Sequence, residues 1–242
     1  MSSTLSDVPA PSAPPAAGSF TADLRAEYDD LFEAFWNHPF LRGLYDGTLP
    51  RECVQHYVEQ DHQYLSSFVR CYGLGVSMSP DRDWMRWFNE QIAFVLNDEQ
   101  HPHRVLCEAV GLDHAAVVHA DLAPSAQAYV DHMALCARDS LGVLLSALLP
   151  CVWTYMEAAT RALAAAEPPA VDNPFRGWWE FYATDECQAI LADFRFRVDL
   201  LADQAGPAER SRMAEAFRLG LHHEVRFWQM AWTREDWTPP RG

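Results

Sequence analysis

The chain has 242 residues, 49% hydrophobic and 12% aromatic, enough apolar surface to fill a substantial core. Its formal net charge of −16 repels phosphate backbones and acidic membranes, and no basic patch offsets it, which argues against nucleic-acid and membrane-surface partners. All 18 basic residues are arginine, and the missing lysine amine removes Schiff-base, pyridoxal and Walker-type phosphate-loop chemistry.

Residues 1–19 are rich in Ser, Pro and Ala without apolar periodicity, the composition of a disordered tail. From Thr21 onward Leu24, Tyr28, Leu31, Phe32 and Phe35 recur at helical spacing, predicting a first helix over 22–37 that stops at Asn37-His38-Pro39. Thr48-Leu49-Pro50 offers a cap and a first-turn proline for a second helix running to about residue 77, with Val54, Tyr57, Val58, Asp61, Tyr64, Leu65 and Phe68 on neighbouring faces. Further helices are expected over 81–96, 103–110, 125–138, 142–166, 174–182, 186–203 and 207–232. No alternating strand pattern appears, so the expected class is all-α, one bundle of roughly seven to nine helices over 20–242 with no linker splitting it.

The six cysteines, at 53, 71, 107, 136, 151 and 187, show neither CxxC pairs nor zinc-finger spacing, and no apolar leader precedes them. A reducing cytoplasm is therefore expected. The apolar runs look too short to span a bilayer. Neither a GxSxG elbow nor a GxGxxG fingerprint is present.

Cys151 lies in Leu148-Leu149-Pro150-Cys151-Val152-Trp153-Thr154-Tyr155, a stretch suited to a buried helix. Residues four apart share a helical face, so its thiol and the Tyr155 hydroxyl point into one space, just after a proline that loosens the turn. A lone buried cysteine is commonly only a small hydrophobe. Other polar or aromatic groups also interrupt apolar faces: Asp61 with Tyr64, Tyr129, Tyr182, and Glu224 with Phe227. Aromatic walls, two carboxylates and a thiol are what a small cavity needs to hold a flat heteroaromatic ring, protonate it and attack it.

In their order, Asn37-His38-Pro39-Phe40, Gly47-Thr48-Leu49-Pro50, Gln60-Asp61 with Tyr64-Leu65 and Phe68, Leu148-Leu149-Pro150-Cys151 with Trp153 and Tyr155, Trp178 with Tyr182, and Glu224 with Phe227-Trp228 resemble the TenA family of thiaminase II and aminopyrimidine aminohydrolases. The resemblance covers about residues 20–237 and implies the heme-oxygenase-like helical fold. It implies Cys151 as catalytic thiol, Glu224 as acid/base, Asp61 as the carboxylate that grips the aminopyrimidine, and Tyr64, Tyr129, Tyr155, Tyr182 and Phe227 as residues around the ring. It further implies thiamine-salvage hydrolysis of a small-molecule pyrimidine, no cofactor, and a homotetramer. The chain departs from the family pattern in its tail, in the 167–173 insert, and at Cys187, where an aromatic residue is expected.

Two rival functions share that fold. One is a non-catalytic aminopyrimidine-binding or regulatory protein, which has no need of a thiol beside two carboxylates. The other is a di-iron oxidase, suggested by ten histidines and by His222-His223-Glu224. Adjacent helical residues point about 100° apart, so His222 and His223 cannot face one site. Glu99 and His103 share a face, but Pro102 lies between them, and no metal site is expected.

Overall fold

A computed structural model describes residues 18–98, 100–118 and 120–237, with twelve helices and no strand among them. The tail reading for residues 1–17 lies outside the described residues. Gly18 and Ser19 lie inside, and the Ser19 hydroxyl accepts the Ala22 N–H to cap α1 (Phe20–Glu27).

The first predicted helix is two. The helix breaks at Tyr28 (φ −110°, ψ 28°), and α2 (Asp29–Trp36) follows at once. The break serves two separate partners. Thr21 near the start of α1 donates its N–H (2.7 Å) and hydroxyl (3.0 Å) to Asp199, while Phe32 and Phe35 in α2 meet Trp153 and Trp228 edge-on. A third helix, α3 (Pro39–Asp46), was hidden by its length of eight residues. His38 Nδ1 accepts the Phe40 N–H, Pro39 occupies the first turn, and Gly47 ends it at φ 72°, a left-handed position that suits glycine.

The long α4 (Arg51–Met78) carries Asp61 and packs along α5 (Arg82–Asn97), where Gly75 lets the Phe88 ring lie against its backbone. Next come α6 (Gln100–Ala109) and the single-turn α7 (His114–Val117), which is capped by Asp113 and was likewise too short to leave a periodic signal. Pro102 stands in the first turn of α6, where the missing N–H is no loss. The short α3 and α7, with the break at Tyr28, raise the helix number above the expected seven to nine.

The remaining elements are α8 (Pro124–Cys136), α9 (Leu141–Leu163), α10 (Arg176–Tyr182), α11 (Asp185–Gln204) and α12 (Pro207–Thr233). Every residue of α9 from Leu141 to Pro150 is buried, which makes it the axis of the bundle. By length and composition α9 is apolar enough to cross a membrane, contrary to the expectation from its sequence, but 78% of its apolar window is buried inside the fold. That burial accounts for its hydropathy as a core helix.

Helix α12 closes on α9 through Gly220. A Cβ there would stand 2.7 Å from Pro150 Cγ and 3.2 Å from the Ala147 carbonyl, so only glycine permits this approach. Pro150 cannot donate to the Ser146 carbonyl one turn back, and its own carbonyl accepts the Thr154 hydroxyl at 2.9 Å. The contact therefore fixes the turn that carries Cys151 against the helix that carries Glu224.

Candidate active site

Asp61, Cys151, Tyr155 and Tyr182 line one narrow cleft between α4, α5, α9, α10 and α11, with Phe68 and Met156 among its apolar walls. The one-turn spacing of Cys151 and Tyr155 places both on this wall, as the sequence predicts. Cys151 is half-buried and Tyr155 buried.

Asp61 is buried and held by two side chains. Its Oδ2 accepts from His103 Nε2 at 2.6 Å and from the Tyr57 hydroxyl at 3.2 Å. The Tyr57 oxygen is also 3.3 Å from that of Tyr155, so a chain of hydrogen bonds runs from Asp61 to the α9 wall. Tyr57 and His103 were missed in the sequence reading. Tyr57 stands one turn before Asp61, a spacing that carried the signal; His103 comes from another helix, and nothing in its local sequence marked it.

Glu224, Tyr129, Tyr64 and Phe227 form a second cluster, packed beside the cleft rather than along its wall. Tyr129 donates to Glu224 Oε1 at 2.6 Å; the ring centroids of Tyr64 lie 4.9 Å from Tyr129 and 5.4 Å from Phe227. Tyr57 joins the two groups, its ring 6.2 Å edge-on from Phe227. Tyr155 contacts Tyr182 at 5.4 Å, so all eight residues singled out in the sequence fall in one connected region.

The electrostatics follow from burial. Glu224 is 2% exposed, and desolvation pushes its carboxyl up to about 8, with the nearby Asp61 adding to the rise while the hydrogen bond from Tyr129 opposes it. At neutral pH this side chain is mostly protonated and can give up a proton. Burial likewise raises the phenols of Tyr57, Tyr64, Tyr129 and Tyr155 well above their ordinary range, and charge on Cys151 contributes to each. All four remain hydroxyl donors. The Tyr64 hydroxyl is buried without a hydrogen-bond partner among the described residues, which leaves it a donor for a bound polar molecule.

His222 is exposed, and His223 stacks on Tyr129 at 5.0 Å and 11°. Burial lowers His223 to about 4. The two imidazoles thus diverge, as their adjacency requires, and do not gather around Glu224. Glu99, weighed with His103 as a metal pair, lies outside the described residues.

The profile of the TENA/THI-4/PQQC family matches residues 25–234. The chain belongs to that family. Among family members, the aminopyrimidine aminohydrolase of Halalkalibacterium halodurans is 32% identical over 222 residues, covering 90% of this chain and 98% of its own. The aminopyrimidine aminohydrolase of Bacillus subtilis is 26% identical over 220 residues, with 90% and 92% coverage. The crystal structure of a protein described as a TenA family transcription regulator, from a Silicibacter species, superposes with TM-score 0.79 at 29% identity over 89% of this chain and 97% of that one. A Shewanella denitrificans domain described as heme oxygenase-like, 13% identical with TM-score 0.60 over 88% of this chain and 90% of its own, shares the fold alone. The TENA/THI-4/PQQC assignment and the heme-oxygenase-like all-α fold thus agree with the motifs read from the sequence. Cys187, where the family pattern suggested an aromatic residue, is buried in the first turn of α11.

Proposed function

We propose that this protein is an aminopyrimidine aminohydrolase of thiamine salvage, a thiaminase II, which forms 4-amino-5-hydroxymethyl-2-methylpyrimidine by covalent cysteine catalysis. The observation that carries this reading is a thiol and a carboxylate on one cleft, Cys151 and Asp61, beside a carboxylic acid, Glu224, whose proton is retained at neutral pH.

Direct displacement at the exocyclic methylene of an aminopyrimidine is slow. The Cys151 thiolate adds to a ring carbon, forming a C–S bond and moving an electron pair into the ring; that pair then expels the amine from the methylene. With aminomethyl-pyrimidine Glu224 delivers the proton with which the amine leaves as ammonia; the cationic thiazolium of thiamine leaves as neutral thiazole without one, and there Glu224 gives its proton to the ring as the ring gains electrons. Water adds to the exocyclic carbon and surrenders a proton to Glu224. The ring pair then returns to sulfur, which regenerates thiolate and aromatic product.

Asp61 binds the ring's amino group through a charge-assisted hydrogen bond, with Tyr57 and His103 fixing its orientation. Tyr155 and Tyr182 bound the ring on the cleft side, and Tyr64, Tyr129 and Phe227 complete its surroundings. Burial keeps the Tyr64 phenol protonated, so it can donate a hydrogen bond to a ring gaining electrons, while the Tyr129 proton stays directed at Glu224. No cofactor enters this scheme.

The same reading takes residues 20–242 as one helical unit behind a tail, active as a homotetramer in the cytoplasm. The thiols of Cys53, Cys71, Cys107 and Cys136, unpaired in the fold, support a reducing compartment.

The test is turnover of aminomethyl-pyrimidine and thiamine side by side. Release of the hydroxymethyl product from either one is expected. Tight binding of both without product would replace the enzyme by a pyrimidine-binding protein.

A further inference from the structure

Three histidines from separate helices come together: His62 on α4, His103 on α6 and His114 on α7. One ring nitrogen from each lies within 4.8 Å of the others. The rings of His103 and His114 are 5.9 Å apart by centroid, and those of His62 and His114 6.3 Å. None of the three has a part in the chemistry proposed above except His103, which orients Asp61.

The orientation of the His103 ring is set by its partner. It is 1% exposed, and its Nε2 faces Asp61 Oδ2 at 2.6 Å. With Nε2 turned to that carboxylate oxygen, Nδ1 is the ring nitrogen that faces away from Asp61. That Nδ1 is buried without a hydrogen-bond partner among the described residues, and so is His114 Nε2. Leaving two buried nitrogens unsatisfied is costly, on the order of 1–3 kcal/mol each. An electrophile between the rings satisfies both at once.

We propose that His62, His103 and His114 form a binding site for a divalent transition-metal cation of the zinc class, with three imidazole nitrogens and a fourth position for water. Three imidazoles from separate elements are a ligand set that such ions accept. The Asp61 carboxylate on the opposite nitrogen of His103 supplies the orientation and basicity that metal-bound imidazoles commonly receive. Zinc–nitrogen bonds of about 2.0–2.1 Å place tetrahedral ligand atoms about 3.4 Å apart, so the present spacing closes by a side-chain shift of about 1 Å. The one-turn α7 holds His114 in the connection between α6 and α8, and the ion fastens that connection to α4 and α6. This site is independent of the substrate assignment.

The experiment titrates chelator-treated full-length protein with Zn2+ alone by calorimetry, and with Co2+ alone by visible absorption. One equivalent of Zn2+ per chain is expected, weakened at least about 100-fold in His62→Ala and in His114→Ala and about 10- to 100-fold in Asp61→Asn. Cys151→Ser binds as the unsubstituted protein does. The cobalt form shows four-coordinate d–d bands without thiolate charge transfer. Substoichiometric binding overturns the proposal, as does affinity that survives both histidine substitutions. Loss of binding in Cys151→Ser, or a thiolate charge-transfer band, also overturns it by placing the metal on the cleft thiol. The cobalt spectrum is read on the unsubstituted chain, so the proposal stays testable even where a histidine variant fails to fold.

Discussion

Tyr129 on α8 donates its phenolic proton to Glu224 Oε1 on α12 at 2.6 Å. This bond restrains a carboxyl that burial otherwise drives upward, and the balance leaves Glu224 at about 8. Tyr129→Phe removes the restraint. The alkaline limb of the pH–rate profile is expected to move about one unit higher, and kcat near pH 7 to fall roughly tenfold as the acid is mistuned. The profile of kcat/KM against pH measures both.

Glu224→Gln tests the acid itself. Turnover is expected to fall by about 10²- to 10⁴-fold, since glutamine cannot pass a proton to the leaving amine. Substrate affinity, measured separately by calorimetry, changes much less.

The same substitution has a signature in stability. The carboxyl ordinarily titrates near 4.5 and in the fold at about 8. Below the lower value both folded and unfolded chains hold the proton, and burial costs nothing in ionisation. Between the two values the unfolded chain releases the proton while the folded chain keeps it, so stability declines as pH rises through this window, by several kcal/mol in order of magnitude. Glu224→Gln lacks this decline. Urea midpoints at pH 5 and pH 9 are expected to show the unsubstituted protein losing ground to the variant at the higher pH.

Asp61 and Tyr57 share one role in binding. Asp61→Asn loses a charge-assisted hydrogen bond to the ring and disturbs His103, so KM is expected to rise about 10- to 100-fold. Tyr57→Phe removes only the 3.2 Å support, and its KM rises a few-fold. Steady-state kinetics on both variants check the order of the two effects.

Gly220→Ala probes how the fold delivers the chemistry. Its added Cβ meets Pro150 Cγ at 2.7 Å, so α9 and α12 separate. A loss of about 1–3 kcal/mol is expected from overpacking, a lower melting temperature by several degrees. Because Cys151 follows Pro150 directly, kcat falls as well while the pH profile keeps its shape.

Much of this arrangement was legible because helical spacing is local. The repeat of apolar residues placed α4, α9 and α12, and one-turn spacing put Cys151 and Tyr155 on one wall. Short elements left no such trace: α3 and α7 depend on a histidine cap and an aspartate cap, and are too brief for a repeat to register. The break at Tyr28 was equally silent, since the apolar spacing runs through it and only the two separate partners of α1 and α2 require it. Contacts between helices were the least visible. His103 reaches Asp61 from 42 positions away, and the triad with His62 and His114 exists only once α4, α6 and α7 are side by side.

Cys151→Ser is the most direct test of covalent catalysis. With aminomethyl-pyrimidine as substrate, the variant is expected to bind the ring with near-unchanged affinity and to release no hydroxymethyl product above background, because the serine hydroxyl does not form the C–S adduct that expels the amine. Turnover by Cys151→Ser equal to that of the unsubstituted enzyme would contradict the role of the thiol.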